Sequence, residues 1–275
     1  MNKSNKRSDQ GSKSFAIDGL KFATCCSGTK YINRDDLLLI VLDPGSNICA
    51  CFTTSTMPSA PVIWSKKNVR KTQNIKQKIV LLVNAGNANA FTGKQGLIAC
   101  ENKAQTLSSL FECDIKNVFF SSTGVIGEQL PYHKIIKRLD LLRNKLSGSH
   151  LEAAANAILT TDLKPKIYSK KFKIDNKIIT ISAIAKGSGM IMPNMATMLA
   201  FIFTDFAIDK KTLSTMTKKG IRESFNRISV DGDTSTSDSV FVATTNKKEL
   251  GFTKDKKTKA INIFYEELKA TMIDL

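Results

Sequence analysis

The sequence predicts an α+β fold, and three observations carry the prediction. Short, intensely apolar runs, residues 37–42 (L-L-L-I-V-L) and 198–203 (M-L-A-F-I-F), have the length of buried strands. Residues 97–111 and 260–275 instead space their apolar side chains for one face of a helix. The two kinds of element are mixed without the regular strand–helix–strand rhythm of a parallel α/β sheet. With 275 residues, 42% apolar and 24% charged, the chain has the composition of a globular protein with a sizeable core.

Residues 1–13 read as a flexible basic arm. No apolar stretch follows them in the manner of a secretory signal, and every apolar run is too short to span a bilayer. The expected location is the cytoplasm, with no membrane partner. There the six cysteines, none of them in a C-x-x-C pair, are expected as free thiols. The two histidines lack ligand spacing, so no metal site is expected. The net charge of +17 raises nucleic acid as a partner. The charge is mostly lysine spread along the chain, without a recognition motif, and is read as a solvated surface.

Strands are expected over residues 37–42 and 48–52, joined through the D-P-G-S turn. Trp64 is expected at a core edge. Residues 78–84 form a buried strand that runs into the loop A-G-N-A-N-A-F-T-G-K-Q-G, residues 85–96. Its glycine spacing misses the Walker pattern, so the asparagines are read as satisfying backbone groups in a structural turn. A helix over 97–111 precedes a strand over 117–122, which stops at Thr123-Gly124. Such a tip presents a hydroxyl and a backbone N–H, the donors an oxyanion hole needs. It is equally an ordinary strand-to-helix turn.

Helices are expected over 132–146 and 150–159, and a hairpin through Asp175-Asn176 joins strands 171–174 and 178–185. The hairpin delivers Lys186 to a glycine loop interrupted by Pro193. Periodicity alone makes Thr197 a plain strand threonine. A basic helix over 210–225 leads to D-G-D-T-S-T-S-D, which fails the calcium-loop test because Val242 occupies the twelfth position. Residues 246–257 read as a charged loop.

Longer strings change the reading. K-G-S-G-M-I-M-P-N-M-A-T-M-L over 186–199, S-T-G-V-I-G-E-Q-L-P over 122–131 and D-G-D-T-S-T-S-D over 231–238 together resemble the ornithine acetyltransferase / glutamate N-acetyltransferase family of arginine biosynthesis. The likeness runs almost from Phe15 to the end. It implies sheets sandwiched by helices, the self-processing N-terminal-threonine fold, cut between Ala196 and Thr197. Residues 14–196 then form the α-fragment and 197–275 the start of a β-fragment lacking its C-terminal part. The resemblance makes Thr197 the nucleophile, Thr123 and Gly124 the oxyanion hole, and Thr160, Lys186 and Thr197 the substrate contacts. One departure stands beside them: the family's threonine after T-T-D is Leu163 here. The implied substrates are N2-acetylornithine and glutamate, with acetyl-CoA a further donor in some members and no metal or bound cofactor. The implied assembly has two α and two β fragments. Because the family continues beyond this length, this chain is expected to transfer acetyl poorly or not at all.

That chemistry has a physical logic. A threonine hydroxyl needs a base. The α-amine freed by cleavage has an ordinary pKa of about 7.7–8.0, close to working pH. One residue thus supplies nucleophile and base. Two alternatives remain: a self-processing aminopeptidase-like hydrolase that passes the acyl group to water, and an inactive binding protein.

Overall fold

The computed structural model describes residues 14–71, 75–190, 198–250 and 254–275. They form two sheets packed face to face between two layers of helices. In the first sheet, β1 (Leu20–Cys25), β2 (Leu37–Leu42), β4 (Ile79–Asn87) and β5 (Val118–Val125) lie in the order β1-β2-β4-β5. In the second, β3 (Asn47–Phe52), β6 (Lys166–Ile174), β7 (Lys177–Lys186), β8 (Leu199–Phe206) and β9 (Ser239–Lys248) lie in the order β3-β9-β8-β7-β6.

The continuous apolar runs follow from this layering. A strand alternates its side chains between two faces, and here both faces are covered. In β2, Leu38, Ile40 and Leu42 enter the core between the sheets, while Leu37, Leu39 and Val41 face the helices. In β8, Leu199, Phe201 and Phe203 meet them from the other sheet, and Ala200 and Ile202 face outward. Phe201 stacks on Phe241 at 5.9 Å between ring centroids.

On the outer face of the first sheet lie α1 (Ala60–Val69), α2 (Gly93–Phe111), α3 (Tyr132–Ile136) and α4 (Leu139–Asn144). The outer face of the second is covered by α6 (Lys210–Glu223) and α7 (Lys254–Asp274). Helix α5 (Leu151–Ala157) packs into the core between the sheets. Most strand pairs are antiparallel, as the missing rhythm implies. The parallel pairs β4–β5 and β8–β9 are each crossed by a helix, α2 and α6.

Several elements depart from expectation. Helix α1 has no clear apolar stripe and starts among prolines, so periodicity misses it; Pro61 nonetheless suits a first turn. The helix expected over 132–146 is broken between α3 and α4. Both pieces send buried side chains, Ile135, Leu139 and Leu142, into one cluster, and no Gly or Pro marks the break. Within the charged loop expected over 246–257, residues 246–248 instead end β9 and residues 254–257 begin α7. Trp64 does sit at a core edge, half-buried against Phe120, with its indole N–H donating to the Val118 carbonyl at 3.0 Å. All six cysteines are free thiols. Among the described residues no helix is long and apolar enough to cross a membrane.

Candidate active site

The site begins where β5 meets the end of β4. Strand β5 runs past Ser122, so Thr123 and Gly124 lie within its end, and Gly124 pairs with Gly86 just before a bulge at Asn87. Gly124 has φ +128°, and a Cβ there would stand 2.2 Å from the Gly86 carbonyl carbon. Only glycine lets the two backbones approach this closely.

The bulge is held by the asparagine-rich turn. Asn84 accepts from the Ser122 hydroxyl at 2.6 Å and donates to the Asn87 carbonyl at 2.8 Å. Asn87 donates to the Glu128 carbonyl at 3.1 Å and accepts from the Asn89 N–H at 2.8 Å. Asn89 donates to the Gly96 carbonyl at 3.1 Å and accepts from Thr92 at 3.0 Å. The asparagines therefore satisfy backbone groups, as the sequence suggested, and they brace the Thr123–Gly124 tip.

Lys186 arrives from the other sheet as the last residue of β7, paired with Leu199 of β8. Its Nζ donates to Thr123 Oγ1 at 3.0 Å and to Thr160 Oγ1 at 2.8 Å. A threonine oxygen that accepts from an ammonium keeps its own O–H free to donate elsewhere. Lys186 is 5% exposed; burial holds its pKa below the usual lysine value, against the opposing pull of Asp162.

Asp162, which sequence reasoning passed over in T-T-D-L-K-P-K, organises this corner. It accepts the Gly187 N–H at 2.6 Å and Lys166 Nζ at 3.0 Å, and its second oxygen lies 3.8 Å from Lys186 Nζ. Burial pushes its carboxyl up, but the Gly187 N–H and the two lysines outweigh it, leaving the pKa below the ordinary carboxylate value. Thr161 shares a 2.9 Å hydroxyl contact with Ser188. Leu163, which replaces the family's threonine, is fully exposed.

Thr123, Gly124, Thr160 and Lys186, four of the residues expected in the site, therefore line one cavity of about 510 Å³. Lys30 and Tyr31 from the β1–β2 loop and Asp231 and Asp233 from the loop before β9 complete its wall. Lys30 and Tyr31 carry no sequence signal and only the fold brings them here, whereas Asp231 and Asp233 belong to the D-G-D-T-S-T-S-D run of the resemblance. A larger cleft of about 710 Å³ near Lys66, Arg70, Lys210 and Lys218 contains none of the expected residues. Ala196 and Thr197 lie outside the described residues; Met198, covalently next to Thr197, begins the described chain again with its N–H donated to Asp238 at 3.1 Å. Among the described residues no group of three or more His, Cys, Asp or Glu is arranged to hold a metal ion.

The cavity can do acyl chemistry. Hydroxyl and backbone donors stand at the end of β5, and a buried cation polarises one of those hydroxyls.

Residues 21–275 match the model of the ArgJ family. The arginine biosynthesis bifunctional protein ArgJ of Nitrobacter winogradskyi is 41% identical over 229 residues, 83% of this chain and 55% of that protein. The chain thus spans about half the length of the curated relatives it matches. The crystal structure of the arginine biosynthesis bifunctional protein from Bacillus halodurans superposes with a TM-score of 0.56 at 33% identity, over 65% of this chain and 92% of that one. That of ornithine acetyltransferase complexed with ornithine, from Mycobacterium tuberculosis, gives 0.52 at 26% identity, over 66% of this chain and 93% of that one. The family model matches nearly the whole chain, and Thr123, Gly124, Lys186, Asp231 and Asp233 from the motifs that carry the resemblance line one cavity: the chain belongs to the ArgJ family.

Proposed function

We propose that this chain carries the nucleophile-bearing site of an acetyltransferase that moves acetyl from N2-acetylornithine to glutamate. The observation that carries the reading is the bridge from Lys186 to Thr123 and Thr160, which joins the two sheets at the cavity. The ornithine bound in the Mycobacterium tuberculosis relative supports the substrate class.

In this reading Thr197 Oγ first attacks the Ala196 carbonyl. The amide carbon–nitrogen bond breaks as the Ala196–Oγ ester forms, which frees the Thr197 α-amine, and water then hydrolyses the ester to release the Ala196 carboxylate and restore the Thr197 hydroxyl. In the transfer cycle Oγ bonds to the acetyl carbon of N2-acetylornithine while its proton passes to that α-amine. The negative charge on the acetyl oxygen is met by the Thr123 hydroxyl and the Gly124 N–H. Lys186 makes Thr123 a stronger donor and, with Thr160, holds the substrate. The carbon–nitrogen bond breaks, the ornithine nitrogen takes the proton, and an acetyl-threonine ester remains. Glutamate's amine then attacks the ester, and the same steps run in reverse to restore the hydroxyl. Acetyl-CoA would enter the first half-reaction as an alternative donor.

Intact mass of the purified protein tests the first step. We expect two species, residues 1–196 and 197–275, and a single uncut chain for Thr197→Ala. A Thr197→Ala chain processed like wild type would remove Thr197 from the role of nucleophile.

A further inference from the structure

Part of the net charge of +17 gathers at the larger cleft, away from the active-site cavity. This cleft of about 710 Å³ lies between α1 and α6, along β3. Helix α1 brings Lys66 and Arg70 to it, and α6 brings Lys210, Lys218 and Arg222. No Asp or Glu lines it. Among the described residues Lys66, Arg70, Lys218 and Arg222 form no ion pair.

The spacing of these cations works against the helices that carry them. Residues four apart share a helix face, and like charges there repel. Lys66 and Arg70 are four apart on α1, and so are Lys218 and Arg222 on α6. Lys210 and Ser214 continue the second stripe at the same interval. Two cationic stripes thus face one groove, and its floor is apolar: Val69, Ile221 and the half-buried Cys51. Cys49, on the same face of β3, meets the Thr217 hydroxyl of α6 at 3.2 Å. Burial raises the Cys51 pKa and the Lys218 charge opposes it, so the charge of the wall reaches the floor.

The strand adds polar groups. Strand β3 ends its sheet and pairs with β9 alone. The Thr53 N–H donates to the Asp238 carbonyl at 3.0 Å, in register with the β3–β9 pairs. By the alternation of an antiparallel ladder, Cys49 and Cys51 turn their backbone groups to β9. Ala50 and Phe52, which also line the cleft, turn theirs to its open edge. The groove is barred as well. Lys210 Nζ donates to the Val69 carbonyl at 2.8 Å and the Lys71 carbonyl at 3.2 Å, tying the start of α6 to the end of α1. A barred cleft suits a small molecule better than a long chain, and its volume is that of ordinary small-molecule sites, about 300–1,000 Å³.

We propose that this cleft binds a nucleoside polyphosphate. The phosphates lie between the stripes, where Lys66, Arg70, Lys218 and Arg222 meet them with charge-assisted hydrogen bonds. The base lies on the apolar floor, its edge against the backbone groups of Ala50 and Phe52. The cleft shares no lining residue with the cavity of Thr123 and Lys186, and the proposal does not rest on the acetyltransferase reading.

The test uses the full chain with ATP as the probe, beside adenosine, pyrophosphate, a hexaglutamate peptide and a single-stranded oligonucleotide. Binding is read by calorimetry and by the rate at which N-ethylmaleimide labels Cys51, located by mass. The half-buried Cys26, outside the cleft, is the reference thiol. We expect ATP to bind and to slow labelling of Cys51 but not of Cys26, and adenosine and pyrophosphate each to bind more weakly. Lys66→Glu and Lys218→Glu should weaken ATP binding about ten- to hundredfold. Lys67→Glu, at an exposed neighbour on α1 outside the cleft, should change it less than about twofold. The wild-type readouts stand whether or not a variant folds. No binding of ATP, unchanged labelling of Cys51 in its presence, or an equal loss in all three variants would overturn the proposal. So would tighter binding of the peptide or the oligonucleotide than of ATP, which would make the cleft a docking groove for a chain.

Discussion

Two regions meet at the Thr123–Gly124 tip and treat buried polarity in opposite ways. The asparagine-rich turn is neutral and satisfied: Asn84, Asn87 and Asn89 each donate and accept within the turn or to the backbone beside it. The cluster around Lys186 is charged and incompletely satisfied. Lys186 lies 3.8 Å from its nearest carboxylate, and Asp162 Oδ2 and Asp238 Oδ2 have no hydrogen-bond partner among the described residues. Neutral amides that match one another hold a shape. Buried charges left short of partners cost stability, and they are suited to a group that arrives or changes charge during a reaction. The turn is therefore read as frame and the lysine cluster as machinery.

Substitutions that break this division should separate stability from rate. The largest effect is expected from Gly124→Ala. A Cβ would collide with the Gly86 backbone, at a φ that side chains avoid, so overpacking and strain add to roughly 4 kcal/mol lost in urea unfolding. A loss under 1 kcal/mol would show that the strands part easily there. Next comes Thr123→Ala, which should leave stability nearly unchanged but slow acetyl transfer about 10²–10³-fold, or roughly 2.7–4 kcal/mol. Substrate binding should change less, since the donor acts on charge that develops later. Transfer at the wild-type rate by a folded, cut protein would take Thr123 out of the site.

Asp162→Asn should cost about 2 kcal/mol at neutral pH, because Lys186 and Lys166 lose their counter-charge. The pH dependence sharpens this. A carboxyl whose pKa is lowered on folding stabilises above its ordinary value and loses that contribution as pH falls through the lowered one. The gap between variant and wild type should close in acid, and a gap independent of pH would mean that the loss is not electrostatic. The smallest effect is expected from Asn89→Ala: about 1–2 kcal/mol of stability from an unpaired Gly96 carbonyl, with the rate per folded molecule unchanged. A slowed rate in that variant would blur the line between frame and machinery.

Much of this was legible in the sequence because it is local. Strands whose two faces are both covered read as unbroken apolar runs, and D-P-G-S and Asp175-Asn176 declare turns. The strings around Thr123, Thr160 and Lys186 were long enough to be matched, and the fold brings their residues to one cavity. What was missed depends on tertiary context. Helix α1 lacks a clear stripe, and no residue marks the break between α3 and α4. Asp162 and Asp238 sit in runs of small polar residues, and only burial separates Asp238 from the exposed Asp231 and Asp233. Lys30 and Tyr31 reach the cavity because the β1–β2 loop folds over Gly86, a contact between distant segments that no periodicity encodes.

The most direct test of the central claim follows the acetyl group itself. The purified, cut protein is mixed with N2-acetylornithine, and the mass of the fragment beginning at Thr197 is measured before and after glutamate is added. We expect one acetyl group to appear on Thr197 with release of ornithine, and to leave as N-acetylglutamate. A cut chain that never carries acetyl at Thr197, or that loses it only to water with glutamate present, would contradict the account.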